Sequence, residues 1–199
     1  MIVTTEMLRE QLKDYSDQLG KIMRMNRNGQ LFQITKGMYE TEAHTPGYCL
    51  AGSIYGPSYL SFDYALSVYK LIPETVHVFT SATFKKKKKK YYKNHFGQYV
   101  YQDVPPEVYP YGIGVKEENG YYYQIASPEK ALCDKLYIMP PVSSQKEIEE
   151  LLFEDLRIDV IDFENLNLND VLQIGELYHC NNLKYLMKHI KRKYVKRIQ

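Results

Sequence analysis

The segment GPSYLSFDYALSVYKLIPE, residues 56–74, constrains the fold most, because it predicts a helix with both of its ends marked. Gly56-Pro57 is a turn signal, and Ser61 is placed to cap the helix with its hydroxyl. Asp63 follows where the positive end of the helix dipole favours a carboxylate. Apolar residues then recur at helical spacing until Pro73 stops the run. The sequence therefore predicts a buried helix that begins after Ser61.

The first 45 residues predict a small module of two helices and a hairpin. A first helix is expected from about Thr4 to Asp14, and a second over Asp17–Asn28 with Ser16 or Asp17 as its cap. The short strands LFQI and GMYE then join at Thr35-Lys36-Gly37. The faces expected to turn inward carry Met7, Leu8, Leu12 and Tyr15 in the first helix and Leu19, Ile22 and Met23 in the second.

Two helices followed by a hairpin form the outline of a winged helix-turn-helix, with residues 17–28 entering the DNA groove and residues 29–40 as the wing. Such a fold normally has three helices before its wing, and the sequence predicts only two. The basic and acidic side chains of residues 1–45 also balance to zero, which disfavours binding to DNA. A shortened DNA-binding module, a module that has kept only the scaffold, and a plain helical cap on the main domain therefore stay open.

Residues 46–199 predict a mixed α/β domain with a helical C-terminal region, so the expected fold class is α+β with a winged-helix-like module at residues 1–45. Strands are expected over Val76–Thr83 and Tyr91–Gln102, as a pair across the lysine run Lys85–Lys90, and over Tyr121–Ile125. Ser127-Pro128-Glu129 begins a helix that Pro140-Pro141 ends. Further helices are expected over Gln145–Leu156, about Asn169–His179, and Leu183–Lys196.

The formal net charge of +2 conceals separated blocks of charge. Seven lysines between Phe84 and Tyr101 have no acidic neighbour, and seven basic residues between Asn181 and Gln199 are likewise unopposed. Residues 143–180 carry ten carboxylates against only Lys146 and Arg157. These blocks indicate a polyanionic partner, internal charge pairing, or both, although each block alone also fits a solvated face.

The lysine run is expected to protrude as a hairpin, because a continuous strand would crowd three lysines on each of its faces. Tyr91, Tyr92, Tyr99 and Tyr101 could stack on unpaired bases or pack within the sheet, and sheet packing is favoured. The basic face of the terminal helix could dock on the acidic segment or bind a nucleic acid. A membrane-surface role ranks last, because the apolar stripe is needed to attach the helix to its own domain.

The sequence disfavours membrane, secreted and metal-binding proteins. No apolar run is long enough to cross a bilayer, and MIVTTEMLRE lacks the pattern of a secretory leader, so a cytoplasmic chain is expected. Cys49, Cys133 and Cys180 form no close pair and indicate free thiols. The five histidines complete no ligand set, so neither a metal nor a cofactor is expected.

The sequence contains no complete catalytic motif of the kinds that nucleotidyltransferases, nucleases or nucleotide-binding enzymes use. Gly52-Ser53 followed by Asp63 imitates the opening of a nucleotidyltransferase signature, in which two carboxylates one residue apart bind magnesium. The second carboxylate would have to be at position 65, which is Ala65. No Asp or Glu is followed two positions later by Lys, the pair that restriction-type nucleases need. A phosphate-binding loop with the pattern G-x-x-x-x-G-K-[ST] is absent from the sequence as well. The expectation is a protein that binds and does not catalyse.

Five segments of the chain together resemble the AbiEi family, whose members are antitoxins and transcriptional repressors of bacterial toxin–antitoxin operons that limit phage spread. The segments occur in the family's order and cover roughly residues 21–137. They are KIMRMNRNGQLFQITKGMYE, the 56–74 segment, VHVFTSAT, HFGQYVYQDVPPE and IASPEKALCDKLY. The chain beyond Tyr137 matches only loosely.

The resemblance implies an antitoxin that opposes a nucleotidyltransferase toxin encoded next to it and represses the shared operon by binding inverted repeats. The implied partners are operator DNA and the cognate toxin, with no membrane, and the chain would be a monomer or a dimer assembled on DNA. A nucleic-acid-binding regulator without a toxin partner is the alternative. The candidate DNA contacts are Gln18, Lys21, Arg24, Arg27, Asn28, Gln33 and Lys36. The candidate polyanion surface consists of Lys85, Lys86, Lys87, Lys88, Lys89, Lys90, Lys93, Lys188, Lys191 and Arg192.

Overall fold

The computed structural model describes the backbone of residues 1–198 and the side chains of residues 1–194. Over these residues the chain is a mixed α+β protein with one small and one large sheet, which confirms the expected α+β class. The strands are β1 Ile2–Thr4, β2 Phe32–Thr35, β3 Met38–Glu40, β4 Tyr59–Leu60, β5 Val78–Thr83, β6 Lys90–Asn94, β7 Gly97–Asp103, β8 Ile113–Glu118 and β9 Tyr121–Ala126. The helices are α1 Thr5–Gln11, α2 Gln18–Arg27, α3 Gly47–Ile54, α4 Phe62–Val68, α5 Pro128–Ile138, α6 Gln145–Glu150, α7 Val160–Glu164, α8 Leu168–Gly175 and α9 Asn181–Ile198.

The small sheet belongs to the N-terminal residues and has the order β1-β3-β2. The expected hairpin is confirmed, since β2 and β3 pair antiparallel around Lys36 and Gly37, and Gly37 takes a positive φ of 79°. The three-residue strand β1 was not expected, because it is too short to give a periodic pattern. Thr4 caps α1 and Asp17 caps α2, each through a backbone N–H of the first turn.

The apolar faces of the two N-terminal helices differ from expectation. Leu8 and Ile22 are buried with Val3 and Leu31 in a small cluster, as their spacing predicted for the two helical residues. The expectation that Leu19 and Met23 turn inward is wrong, because these side chains are 51% and 66% exposed. Two short helices bury only one row of residues, and no described element covers the neighbouring row. Met7 and Tyr15, expected inward in the first helix, are exposed as well.

The large sheet has the order β6-β7-β5-β4-β9-β8. Strands β6 and β7 form an antiparallel hairpin, and β7 lies parallel to β5, between β5 and β6. The lysine run is therefore the connection from β5 to the outer strand β6, and the expectation that it protrudes as a hairpin is wrong. Buried Tyr99 and Tyr101 place β7 in the interior of the sheet, while the lysines of β6 remain in water at the edge.

Helix α3 packs across the large sheet and was not predicted from the sequence. Tyr99 and Tyr101 donate their hydroxyl hydrogens to the carbonyl oxygens of Gly47 and Ala51, at 3.1 and 2.7 Å. A Cβ atom at Gly47 would lie 2.4 Å from the ring of Phe79, so glycine permits the close approach of helix and sheet. Helix α3 therefore holds the face of the sheet that these tyrosines share.

Helices α4 and α5 and the C-terminal helices complete the larger hydrophobic core. Helix α5 begins as predicted, with the hydroxyl of Ser127 accepting from the Lys130 amide. The expected helix over residues 145–156 is α6 followed by a single π-helical turn, Leu151–Asp155. Helix α8 ends at Gly175 and continues as a short 3-10 turn, Glu176–Tyr178. The five-residue α7 is an element that the sequence did not predict.

Asn182 fixes the long helix α9 to the end of α5. Its amide nitrogen donates to the carbonyl oxygens of Leu136 and Pro140, at 2.8 and 3.0 Å, and its amide oxygen accepts from the Val142 amide at 2.7 Å. These bonds satisfy backbone groups that Pro140 and Pro141 leave without helical partners. None of the helices in the described part of the chain combines the length and the apolar character needed to cross a membrane.

Candidate functional site

The lysine loop, residues 84–89, is held by its backbone and presents its side chains to water. The carboxylate of Asp103 accepts from the Lys86 and Lys87 amides at 2.7 and 2.8 Å and from the hydroxyl of Thr83 at 2.6 Å. Lys85 and Lys87 adopt positive φ angles of 55° and 67°, which make the tight turns of the loop possible. Hydrogen bonds from the backbone of the loop to Asp103 therefore fix its conformation, while its lysine side chains extend outward.

Most of the lysine side chains in this region are exposed and lack an acidic partner. Lys85 and Lys87–Lys90 are exposed, as is Lys93 on β6. Lys86 is half-buried, donates to the carbonyl oxygen of Gly56 at 3.0 Å and lies 5.1 Å from the Tyr55 ring centroid. Among the described residues none of these lysines forms an ion pair. The charge of Asp103 offsets only a small part of this positive surface.

The four tyrosines near the lysine loop divide between core and surface. Tyr99 and Tyr101 are fully buried, and Tyr92 packs against Tyr101 with 5.8 Å between ring centroids. Sheet packing, the favoured interpretation, is thus confirmed for these three residues. Tyr91 is 68% exposed, and the ammonium of Lys89 lies 5.5 Å from its ring centroid. Of these four tyrosines, only Tyr91 has a ring that is open to a ligand.

The basic face of α9 is partly paired with the acidic segment of the chain. Lys193 lies 3.2 Å from a carboxylate oxygen of Glu149, and Lys191 lies 3.8 Å from one of Glu176. Lys188 lies over the ring of Tyr185, 5.3 Å from its centroid. Arg192 is exposed, while Lys196 and Arg197 lie outside the described side chains. Internal charge pairing, one of the two expected roles, therefore occupies part of this face.

His189 is buried beneath these pairs, and its Nδ1–H donates to the carboxylate of Glu149 at 3.1 Å. Burial lowers the pKa of His189, and the positive charges of Lys193 and Arg192 act in the same direction, against the opposing effect of Glu149. Its Nε2 atom has no hydrogen-bond partner among the described residues. The ring is therefore a neutral core residue near neutral pH.

The candidate DNA contacts in α2 are partly engaged within the module. The side-chain oxygen of Gln18 accepts from Arg9 at 3.2 Å, and Arg24 lies 3.7 Å from the carboxylate of Asp17. Lys21 lies 5.3 Å from the ring centroid of Tyr15. Contacts between exposed groups of this kind are weak and can exchange for contacts with a ligand.

The remaining candidate DNA contacts are on the surface of the module. Arg27 is exposed in the last turn of α2, and Asn28 follows as the exposed residue that ends the helix. Lys36 is exposed in the turn of the hairpin. Gln33 is exposed on β2, and its side-chain nitrogen donates to the Thr35 carbonyl at 3.4 Å. Arg24, Arg27 and Lys36 are thus exposed, while Lys21 is half-buried.

A buried polar network, which the sequence did not predict, joins the 56–74 segment to α5. The ammonium of Lys130 lies 3.1 Å from Asp134, and it donates to the hydroxyl of Tyr178 at 2.6 Å and to the Val108 carbonyl at 2.9 Å. Asp134 accepts from three hydroxyls, those of Tyr178, Tyr59 and Ser61, at 2.5, 2.9 and 2.7 Å. Every charged atom of the network therefore has partners, as a dry interior requires.

Ser61 reveals why the network escaped sequence analysis. The residue precedes α4 as expected, but its hydroxyl donates to Asp134 and makes no capping bond. The available signal was Lys130 and Asp134, one helical turn apart amid apolar neighbours, which predicts a buried pair on one face of α5.

The network lacks the access that catalysis requires. Its side chains are buried, so no substrate reaches them in this conformation. Burial raises the pKa of Tyr59 and of Tyr178, and the adjacent Asp134 charge raises both further. Burial lowers the pKa of Lys130, while Asp134 opposes this change. The two tyrosines therefore stay protonated and serve as hydrogen-bond donors that hold the fold.

The other groups considered for chemistry are structural or dispersed. Asp63, in the first turn of α4, pairs with Lys135 of α5 at 2.6 Å. Cys49 and Cys133 are buried free thiols, and Cys180 is partly buried. Within the part of the chain that the structure describes, no group of His, Cys, Asp and Glu side chains could hold a metal ion. A comparison with protein-family models finds no match, and neither does a comparison with curated proteins.

Proposed function

We propose that this protein is the antitoxin of an AbiE-type toxin–antitoxin system, which opposes a nucleotidyltransferase toxin and represses its own operon by binding DNA. The observation that carries the proposal is the meeting of two of the segments on which the resemblance rests. Tyr59 and Ser61 of one segment donate to Asp134 of the other in the buried network. A shared core contact gives these separated motifs one structural reason to occur together.

The order of elements in the N-terminal module supports a role in DNA binding. The chain runs β1-α1-α2-β2-β3, and β1 pairs with β3 next to the hairpin. A winged helix that lacks the first of its three helices would have this order of elements, and α2 would then be the helix that enters the major groove. The exposed face of α2 carries Leu19, Met23 and Arg27 at four-residue spacing. Arginine can contact guanine and phosphate there, and apolar side chains can contact thymine methyl groups.

The lysine loop supports a second, separate role in opposing the toxin. Its exposed positive charge, which lacks acidic partners among the described residues, suits a polyanion better than the electrically balanced surface of the N-terminal module does. Binding, without any bond made or broken in this chain, is the mechanism proposed. The same exposed charge also favours the second candidate function, a cytoplasmic nucleic-acid-binding regulator that has no toxin partner.

Co-expression with the neighbouring gene tests the antitoxin role. Growth should be rescued by the wild-type chain and by Asp63→Ala, because Asp63 serves a partly exposed ion pair between α4 and α5 and no catalytic step is assigned to it. Replacement of Lys85–Lys90 by glutamine should weaken rescue, and Lys13→Gln with Lys146→Gln supplies a matched control for exposed charge. A neighbour without a nucleotidyltransferase signature, or no rescue by the wild type, would favour the regulator.

Titration of the operon's promoter fragment tests the DNA-binding role. Arg24→Gln with Arg27→Gln should weaken binding, and so should Leu19→Ser with Met23→Ser if α2 lies in the groove. These four side chains are exposed, so stability should change by less than about 0.5 kcal/mol per site. Unchanged promoter affinity in both variants would leave the helical-cap interpretation of the module. Equal effects of the arginine and lysine variants on rescue and on promoter binding would contradict separate roles for the two surfaces.

A further inference from the structure

The outer hairpin of the large sheet presents one open face with an unusual combination of side chains. Tyr91 and Lys93 lie on the same face of β6, since alternate residues of a strand point to the same side. Their partners on β7 are Val100 and Gln98, and paired residues share a face as well. Tyr91, Lys93 and Gln98 are exposed, while Val100 is half-buried. The face thus offers an aromatic ring, an apolar floor, an amide and a cation.

The helices that the structure describes leave this face open. Thr80 is the partner of Val100 on the next strand, β5, and its hydroxyl donates to the Ser61 carbonyl at 2.6 Å and accepts from the Tyr64 amide at 3.0 Å. The start of α4 therefore covers β5 on this side of the sheet. Beyond β5, Gln98 and Tyr91 remain exposed.

We infer that this open face of β6 and β7 binds single-stranded RNA. A tyrosine that is 68% exposed on a sheet can stack on an unpaired base, and the ammonium of Lys89, which lies over one face of the ring, can move to neutralise the adjoining phosphate. The lysine loop leads directly into β6, so the backbone of a strand laid across the hairpin would meet the unpaired positive charges of the loop. An open sheet with exposed aromatic residues is a recurring way to bind unpaired bases.

RNA is preferred over DNA as the ligand because its loops and ends are single-stranded, whereas DNA is mostly present as a duplex whose bases are stacked inside. Edge strands also carry lysines merely to prevent pairing with another sheet. That role explains Lys90 and Lys93 without explaining the exposed ring between them. The inference deepens the proposed function, since the lysines of the candidate antitoxin surface would then act on RNA.

Fluorescence anisotropy with a labelled 12-nucleotide oligouridylate and the purified full chain tests this inference. Tyr91→Ala should weaken binding by about 5- to 150-fold, and Tyr91→Phe should retain most of the affinity, because stacking needs only the ring. Lys89→Gln with Lys93→Gln should reduce the slope of log affinity against log salt by about 1.4 in magnitude. Duplex RNA and duplex DNA should bind more weakly than the single strand at the same salt concentration.

Tyr122→Ala is the matched control for the aromatic ring. Tyr122 is 75% exposed on β9, where its partner on β8 is Glu117, so it offers a ring without adjacent positive charge. Its removal should leave RNA binding unchanged. Binding that is equal for duplex and single strand and insensitive to Tyr91→Ala would overturn the inference, as would a stronger affinity for single-stranded DNA than for RNA. Absence of RNA binding, together with self-association of the Lys89→Gln, Lys93→Gln variant, would assign these lysines to edge protection and also overturn it.

The failure of this inference can be distinguished from failure of the proposed function. RNA binding is measured with the purified chain, whereas the antitoxin role is measured as rescue of growth. If Tyr91→Ala loses RNA binding but still rescues growth, the RNA-binding site is supported, and RNA binding at this site is not needed for the antitoxin role. A wild-type chain that rescues growth without binding RNA would overturn the RNA site alone.

Discussion

Replacement of Asp134 should reveal how strongly the buried network stabilises the fold. Asp134→Ala would leave the ammonium of Lys130 buried without its carboxylate, and removal of one partner of a buried pair costs about 3–5 kcal/mol. The hydroxyls of Tyr59, Ser61 and Tyr178 would lose their acceptor as well, each at a cost of about 1–3 kcal/mol where no other partner is found. Because a typical domain is stable by about 5–15 kcal/mol, this variant should fold marginally or not at all.

A milder replacement makes the same point measurable. Asp134→Asn keeps the volume and one acceptor oxygen, and we expect a loss of about 2–4 kcal/mol in the free energy of unfolding. Lys130→Met should also destabilise, because it leaves the carboxylate without its cation. The two changes together should cost less than their sum by about 1–3 kcal/mol, since they remove both charges of one interacting pair. Urea unfolding of the single and double variants measures this difference.

A partly exposed ion pair between α4 and α5 provides the control. Lys135 of α5 pairs with Asp63 of α4 at 2.6 Å, but both side chains retain contact with water. Lys135→Gln and Asp63→Asn should each cost less than about 1 kcal/mol. The argument for a dry, fully bonded network is refuted if Asp134→Asn costs as little as these control changes, or if its effect simply adds to that of Lys130→Met.

Three further predictions concern single residues. Gly47→Ala should lower the melting temperature, because a Cβ atom there would lie 2.4 Å from a ring atom of Phe79 where α3 meets the sheet. Asp103→Ala should raise hydrogen exchange at the Lys86 and Lys87 amides, which lose their acceptor, while exchange in β9 stays unchanged. The lowered pKa of His189 means that the unfolded chain binds a proton first as pH falls, so stability should decrease below about pH 6.5. Replacement of this histidine by phenylalanine should make the free energy of unfolding, measured by urea titration at a series of pH values, fall less steeply below about pH 6.5. An unchanged dependence on pH would contradict this role of His189.

The elements that sequence analysis predicted are those determined by neighbouring residues. Ser127 caps α5 through the Lys130 amide, and the hairpin over residues 32–40 turns at Gly37. Strand β8 was missed because its sequence, IGVKEE, has no sustained alternation of apolar and polar side chains. It forms through the Asn119-Gly120 turn, where both residues take positive φ angles of 51° and 81° and bring β8 against β9.

The features that sequence analysis missed depend on residues far apart in the chain. The parallel pairing of β5 with β7 requires β6 to lie outside both strands, and no local pattern specifies that order. The hydroxyl of Ser61 has a choice between its own helix and Asp134, which is 73 residues away. Local rules favour the cap, whereas the need to satisfy a buried carboxylate decides the outcome. The sequence therefore predicted which candidate site residues lie on the surface, but it could not predict which of them lie close together in the folded chain.

The separated charges of the sequence have different roles in the folded chain. In the C-terminal region, Lys193 and Lys191 lie against Glu149 and Glu176, so part of that positive charge offsets the acidic segment. The lysine loop has no such partner among the described residues, and Asp103 beneath it is engaged by backbone amides. A nearly neutral protein can therefore still bind a polyanion strongly at one place, because salt screens the distant charges more than those in direct contact. The salt dependence of binding should accordingly follow the lysines of the loop and β6, and not the net charge of the chain.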